Sequence, residues 1–380
     1  MHNIENSKNT LSHLLQKVQD QANRARDFLA PTHDLQKGTT DDGLPYVVME
    51  AAKGVPTQLF DINAVAFSQI SSNAGIDVRT ARRLQEQVPT EFDSVVNALW
   101  RKTPSVRMLR THDHVESSDK TVVGSSGKLR AFVSDKFKTF DNAHLLNATL
   151  PQLMESDAQW QVVSGDISER RMYLRLKSNV QTGEGANVND VMANGIGLSN
   201  SEVGEGSIAV YQLFWTLACL NGMQTQNRTR SSHITSARDS EDWGLLSGEA
   251  KDADNKALEL KVRDLVQAYA SRDNFNQVLE SMRLAKLDII HGEKSEAVQQ
   301  LGKVLLLTKN QTSHVLNGLL NTIGQAGYEA GSPVTRATLV NAVTNVANSA
   351  DIDDVDLWQS RGGQVLNLNR QDWNRVAMAA

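Results

Sequence analysis

The stretch from Arg171 to Lys177 reads Arg-Met-Tyr-Leu-Arg-Leu-Lys, in which polar or aromatic side chains alternate with aliphatic ones. Successive side chains of a β-strand point to opposite faces, so this alternation predicts a strand with one apolar face. The two faces carry different residues: Arg171, Tyr173, Arg175 and Lys177 on one, and Met172, Leu174 and Leu176 on the other. We therefore expect a strand within a sheet, with its apolar face on the core.

Other β-rich stretches lie before this strand, at residues 43–50, 105–110, 121–123, 129–134 and 160–163. Helical periods occupy residues 63–100 and 142–155, and from about residue 245 helical spacing replaces the β-rich runs. The pattern predicts an α+β protein, in which a central twisted antiparallel sheet within residues 101–235 has helical cover and is followed by an α-helical region. We expect three parts: an N-terminal helical arm (1–30), an α+β core domain (31–240) and an α-helical C-terminal region (241–380).

The N-terminal arm carries a wide apolar stripe at helical spacing, from a cap at Thr10 to an end before Pro31. The stripe consists of Leu11, Leu14, Leu15, Val18, Ala22, Ala25 and Phe28. Such a stripe requires a partner surface. That surface is either a second copy of the chain, which leads us to expect a homo-oligomer, or the arm's own domain.

The composition is that of a folded globular protein, with 40% hydrophobic and 22% charged residues in 380. The single cysteine, Cys219, excludes an internal disulfide and fits a reducing cytoplasm. No leader peptide opens the sequence and no run of eighteen apolar residues occurs, so we expect no membrane segment. The net charge is -5, yet residues 101–230 hold 15 basic and 13 acidic residues, which permits contact with nucleic acid.

Three motifs lie close together between Gly197 and His233: Ser-Asn-Ser-Glu-Val-Gly at 199–204, Cys-Leu-Asn-Gly-Met at 219–223 and Arg-Ser-Ser-His at 230–233. Residues 130–142 add a further element, from Arg130 to Asn142, and residues 67–99 and 341–347 add helical ones. In this order the motifs resemble a phage- and plasmid-encoded family known only as a domain of unknown function. Phe137 stands where that family has tyrosine. The resemblance implies a mobile genetic element in a bacterial host cell, and it brings no agreed activity.

The motif residues are interpreted as structural: Asn200, Ser201, Gly204, Cys219, Asn221, Gly222 and His233. Glycine tolerates positive φ and asparagine caps or turns the backbone, so Asn200, Gly204, Asn221 and Gly222 are expected to shape turns. Cys219 with His233 could form a nucleophile and its base. The apolar neighbours of Cys219 favour an inert core cysteine instead.

The basic residues of the predicted sheet are the best candidates for a binding site. They are Arg107, Arg110, Lys128, Arg130, Lys136, Lys138, Arg170, Arg171, Arg175 and Lys177, with Tyr173 between two of them. Cations that meet phosphates, with a ring that stacks on a base, suit a single-stranded nucleic acid. An ordinary solvated sheet face has the same pattern.

Two further patterns compete with this interpretation. Residues 64–87 have the outline of a helix-turn-helix, broken at Gly75, with Arg79, Arg82 and Arg83 on the following helix. His112 and His114 would share one face of a strand and could hold a metal ion, although we expect no metal and no other cofactor.

We therefore expect a cytoplasmic, non-catalytic nucleic-acid-binding protein of a phage or mobile element, such as a single-stranded DNA accessory in annealing, recombination or replication. One alternative is a metal-dependent nuclease or other hydrolase that uses His112, His114, Glu202 and His233. A second alternative is a protein-binding antagonist of host defence, which needs no shared residue chemistry.

Overall fold

The computed structural model describes residues 2–51, 56–114, 122–184, 191–216, 221–231, 247–324, 331–351 and 354–379. The helices are α1 (His2–Arg24), α2 (Ala64–Asn73), α3 (Val78–Gln87), α4 (Pro89–Lys102), α5 (Asn142–Glu155), α6 (Gly248–Tyr269), α7 (Arg272–Ala285), α8 (Lys294–Val304), α9 (Lys309–Ile323), α10 (Arg336–Asn345), α11 (Val355–Leu366) and α12 (Arg370–Ala377). The strands are β1 (Ala25–Pro31), β2 (Leu35–Thr39), β3 (Pro45–Met49), β4 (Gln58–Ile62), β5 (Val106–Asp113), β6 (Gly127–Ser134), β7 (Trp160–Ile167), β8 (Met172–Glu184), β9 (Val191–Asn200), β10 (Ile208–Thr216) and β11 (Asn221–Ser231).

The first sheet has the strand order β1-β5-β6-β4-β3-β2 and is antiparallel except where β4 runs parallel to β6. Helices α2, α3 and α4 cover one face of it. Their buried side chains include Ile70, Phe92 and Trp100, and the Trp100 ring stacks on Phe132 of β6 with centroids 5.5 Å apart. Burial of these large apolar groups fixes the three helices on the sheet.

The second sheet is antiparallel and has the order β11-β10-β9-β8-β7, and its strands β9 and β10 are buried on both faces. One face carries Leu174 of β8 and Leu198 of β9 into a core shared with α1, α5 and α6. The other face carries Tyr211 and Trp215 of β10 and lies under the C-terminal helices α10 and α11. Within the described part of this sheet, β9 and β10 therefore have no wide solvent-exposed face.

Close contact between two strands explains a glycine on β9. Gly197 pairs in register with Tyr211, whose ring lies across β9. A Cβ atom at residue 197 would stand 2.0 Å from that ring. Glycine there lets the Tyr211 ring lie flat over the neighbouring strand, which sets the position of its hydroxyl group.

The α+β class, the helical cover and the helical C-terminal region are confirmed, whereas the single sheet predicted for residues 101–235 is wrong. The described residues form two sheets, and the first one already begins at Ala25. The strand predicted at residues 43–50 is confirmed as β3. Of the predicted 121–123 strand, residues 122 and 123 form no strand, and residue 121 lies outside the described residues.

The predicted N-terminal arm packs on its own chain. Leu14 and Val18 of α1 are buried in the core of the second sheet, with 1% and 5% of their surfaces exposed. The helix ends at Arg24 rather than near Phe28, because residues 25–31 pair with β5. The boundary expected at residue 30 therefore falls inside β1, and the boundary expected at 240 lies outside the described residues.

Among the helices of the described residues, none combines the length and apolar character that crossing a bilayer requires.

Candidate nucleic-acid interface

The cationic face predicted on β8 is not exposed, which corrects the sequence-based interpretation. Tyr173 has 0% and Arg175 3% of its surface exposed. Helix α11 covers this side of the sheet, and Asp356 on that helix accepts a hydrogen bond from Arg175 Nη2 at 2.9 Å. A ring with no accessible face cannot stack on a base.

Arg175 belongs to a buried polar cluster with Asp356 and Tyr211. The Tyr211 hydroxyl donates to the same carboxylate oxygen, Oδ1 of Asp356, at 2.7 Å. The Arg175 guanidinium also lies over the Tyr173 ring, 4.9 Å from its centroid. These contacts link β8 and β10 to α11, so the cluster joins the second sheet to the C-terminal helices.

The other predicted cations are dispersed rather than brought together. On the second sheet, Arg171 donates to the Glu205 carbonyl at 2.6 and 2.9 Å, and Lys177 is half-buried. On the first sheet Arg107 is half-buried; after β6 ends, Lys136 is half-buried and Lys138 is buried in an ion pair with Asp254 of α6. Among these predicted sheet cations Lys128 and Arg170 are exposed, and Lys128 faces Glu169 at 3.3 Å.

Arg110 and Arg130 lie in a buried ionic network between the two sheets. Arg110 donates to Asp27 at 3.1 Å, to the Glu202 carbonyl at 2.9 Å, and lies 2.8 Å from an Asp141 oxygen. Burial by itself would lower the pKa of Arg110, but the Asp141 and Asp27 carboxylates outweigh it and raise that pKa. Arg130 Nη2 donates to Glu202 at 3.0 Å. The network holds the two guanidinium charges in place, and both carboxylate oxygens of Glu202 accept hydrogen bonds, from Arg130 and from the Asn142 backbone.

The motif at residues 199–204 forms the junction that this network stabilises. Asn200 donates to the Phe140 carbonyl at 2.8 Å, and the Ser201 hydroxyl donates to the Arg170 carbonyl at 2.6 Å. Gly204 has φ +78°, the left-handed region that favours glycine. These contacts are consistent with the structural interpretation of the motif. Cys219 and His233 lie outside the described residues, and of Asn221 only its backbone pairing with Thr216 is described.

We expect Gly222→Val to lower the melting temperature before it alters any specific activity. A Cβ atom at residue 222 would stand 2.7 Å from Gln359 Nε2 and 3.1 Å from the Trp215 ring. Overpacking of this kind costs about 1–3 kcal/mol. Differential scanning fluorimetry measures the change, and a variant that melts like the wild type but has lost ligand binding would contradict the structural role.

The two histidines proposed for a hydrolase do not form a catalytic group with Glu202. His114 Nε2 lies 2.9 Å from Ser125 Oγ and 3.4 Å from Asp61. Both contacts use the same ring nitrogen, so Asp61 does not orient the ring for Ser125 as a catalytic triad requires. Within the described ranges, no three metal-ligating side chains of His, Cys, Asp or Glu come together.

His112 gives the structure a pH dependence of defined sign. Burial, followed by the charges of Arg130, Arg24 and Arg110, lowers the pKa of His112 from 6.5 to about 2. The folded protein therefore keeps this ring neutral, whereas the unfolded chain protonates it below 6.5. The contribution of the neutral His112 ring to the free energy of unfolding is fully present above about pH 6.5, and it is lost as the pH falls towards about 2.

We expect the free energy of unfolding to fall by about 2 kcal/mol more in the wild type than in His112→Gln between about pH 7 and about pH 5. Glutamine does not titrate, so the variant lacks this proton uptake. Urea denaturation at the two pH values measures the difference. Parallel losses in both proteins would show that the His112 ring is protonated in the folded state.

Helices α2 and α3 form a helix-turn-helix, as the sequence pattern indicates. The Asn63 side chain caps α2 by accepting from Ala66 N at 2.8 Å, and Asp77 caps α3 by accepting from Thr80 N at 3.0 Å. Gly75 in the turn has φ +71°. Small residues allow the two helices to approach, since Ser71 of α2 and Ala81 of α3 are both 0% exposed.

The inner side of α3 is anchored to the first sheet through Gln85. Its amide accepts from Lys37 Nζ at 2.8 Å and donates to Thr39 Oγ1 at 2.9 Å. Lys37 is fully buried and pairs with Asp93 of α4; burial lowers the pKa of Lys37. This polar connection fixes the rotation of α3 about its own axis.

The outer side of α3 carries cations. Arg79, Arg82 and Arg83 are exposed and share one face, since they stand at positions i, i+3 and i+4. Glu86 lies one turn further along the same face and is also exposed. Ala81 is the buried residue of this helix, so α3 presents most of its surface to solvent.

Comparisons of the chain with models of known protein families, with curated proteins and with solved structures find no match.

Proposed function

We propose that the protein binds duplex DNA through the exposed face of α3 and performs no bond-making chemistry. The observation that carries this proposal is the placement of Arg79, Arg82 and Arg83 on the outer face of the second helix of a helix-turn-helix. In such motifs the second helix enters the major groove and its N-terminal residues reach base edges. Arginine there binds phosphates or pairs with guanine in a bidentate manner.

The surroundings of α3 support this role. Its inner side is held by Gln85 and by the packing of Ala81, so the arginines project from a fixed support. Rigid placement of the helix favours recognition, because the backbone that carries the arginines does not have to be ordered on binding. Glu86 on the same face could accept a hydrogen bond from cytosine N4, which would add sequence preference.

Single-stranded DNA is the competing substrate, and a binding assay separates the two. Fluorescence anisotropy with labelled duplex and single strands of equal length, at several salt concentrations, gives affinity and salt dependence for each. We expect tighter binding to the duplex, falling steeply with salt, and intact DNA after incubation with magnesium. Preferential binding to single strands, or cleavage, would refute this assignment.

The cellular setting is part of the same proposal. The resemblance of residues 199–204 and 219–223 to a phage and plasmid family favours a mobile element in bacterial cytoplasm, where DNA is accessible. A homo-oligomer would place two recognition helices on adjacent half-sites. Light scattering of the full chain measures the number of subunits.

A further inference from the structure

A cleft of about 290 Å³ lies between the two sheets, away from α3. The end of α1, strands β5 and β6, the N-terminus of α2 and the turn after β7 surround it. Its polar lining includes Gln21, Arg24, His112, Lys128, Arg130 and Glu169. The volume is at the small end of the range for ligand pockets, about 300–1,000 Å³.

Three buried polar atoms in this cleft have no hydrogen-bond partner among the described residues. They are Gln21 Oε1, His112 Nε2 and Arg130 Nε. His112 is 7% exposed, so bulk water does not satisfy its ring nitrogen. Folded proteins pair nearly all buried polar atoms with protein groups, water or ligands, so three such atoms around one cleft mark it as a polar binding position.

The charges around the cleft favour an anionic ligand. Arg24, Lys128 and Arg130 line it, and Asn63, the N-cap of α2, lies in its wall, which adds the positive end of a helix dipole. Arg130 Nε can only donate a hydrogen bond. Among the described residues, the cleft therefore offers one unpaired N–H donor, from Arg130, and positive potential from three cationic side chains.

Two carboxylates share the cleft, and both are engaged by partners. Asp113 lies 3.1 Å from Arg26, and Glu169 lies 3.3 Å from Lys128. The side chains of both pairs are about half exposed, and exposed ion pairs of this kind exchange partners readily. An incoming anion can thus take Lys128 from Glu169.

We propose that this cleft binds the phosphate group of a small phosphorylated molecule. Arg130 Nε, Lys128 and Arg24 hold the phosphate oxygens, His112 Nε2 donates or accepts at the inner end, and Gln21 Oε1 accepts from a hydroxyl of the ligand. A nucleoside monophosphate has this chemistry, and so does the terminal 5′-phosphate of a nucleic acid strand. The site does not depend on DNA binding by α3.

Isothermal titration calorimetry of the full chain tests the site with a nucleoside 5′-monophosphate, the corresponding nucleoside and inorganic phosphate. We expect the monophosphate to bind at least about ten times more tightly than the nucleoside. Oligonucleotides with a 5′-phosphate or a 5′-hydroxyl distinguish the two sources of the phosphate. Phosphate-dependent binding of either source supports the site.

Two variants keep the test independent of folding. Lys128→Gln changes an exposed side chain and should weaken monophosphate binding by about five- to tenfold, whereas Lys309→Gln, an exposed lysine on α9, should not. His112→Phe removes the unpaired nitrogen, and we expect it to melt no lower than the wild type while it loses phosphate affinity. The proposal is overturned by wild type that binds no phosphate probe at millimolar concentration, or by unchanged affinity in both cleft variants.

Discussion

Asp356→Ala should lower the free energy of unfolding by about 3–5 kcal/mol, because it leaves the charge of Arg175 buried without a partner. Both side chains of this pair are nearly inaccessible, with 3% and 4% exposed. The same change removes the acceptor of the Tyr211 hydroxyl. Water therefore replaces neither lost interaction, and chemical denaturation of the variant measures the full penalty.

The double variant Arg175→Met with Asp356→Leu should recover most of this loss. Replacement of a buried ion pair by apolar side chains of similar size is often neutral or stabilising. The matched control is Asp264→Ala, which removes the acidic member of an exposed pair with Arg263 and should change stability by less than about 0.5 kcal/mol. An Asp356→Ala protein within about 1 kcal/mol of the wild type would mean that solvent reaches Arg175.

The alternation at residues 171–177 predicts the strand but not its surroundings. Period-two alternation separates two faces, and it contains no information about what covers the polar one. The partner of Arg175 lies 181 positions away, on α11. A contact at that separation leaves no local signal, so the sequence predicts an exposed cationic face and gives no sign of its acidic partner.

The strands of the second sheet illustrate the same limit. Strand β10 is buried on both faces, so its residues show no alternation between apolar and polar positions.

The start of the first sheet shows a second limit. Residues 25–28 continue a helical pattern in the sequence, yet they pair with β5, because backbone pairing with an open sheet edge outweighs local spacing.

The helix-turn-helix, in contrast, follows from local features. The features that define it are local: Asn63 caps the start of α2, Asp77 caps the start of α3, and Gly75 in the turn has a left-handed backbone. Local hydrogen bonds of this kind are encoded in short windows of sequence. The sequence therefore predicts the position of α3, and only the fold determines that its arginines face solvent.

The triple variant Arg79→Gln, Arg82→Gln and Arg83→Gln should bind duplex DNA at least about a hundredfold more weakly than the wild type. Each arginine that contacts a phosphate releases a counterion, so the slope of log affinity against log salt should flatten by about two to three units. Glutamine is a good helix former and all three sites are exposed, so the melting temperature should not change.

A control with the same change in net charge isolates the α3 face. Arg263, Arg283 and Arg375 are partly exposed on other helices, and their replacement by glutamine should leave the affinity within about twofold. Replacement of the three α3 arginines by lysine should keep the salt slope but reduce discrimination between sequences, because lysine binds phosphate without bidentate contact to guanine. If the α3 and control variants lose equal affinity for duplex DNA, the interaction depends on net charge and not on the α3 face. If the α3 variant keeps the wild-type affinity, this helix does not contact the DNA.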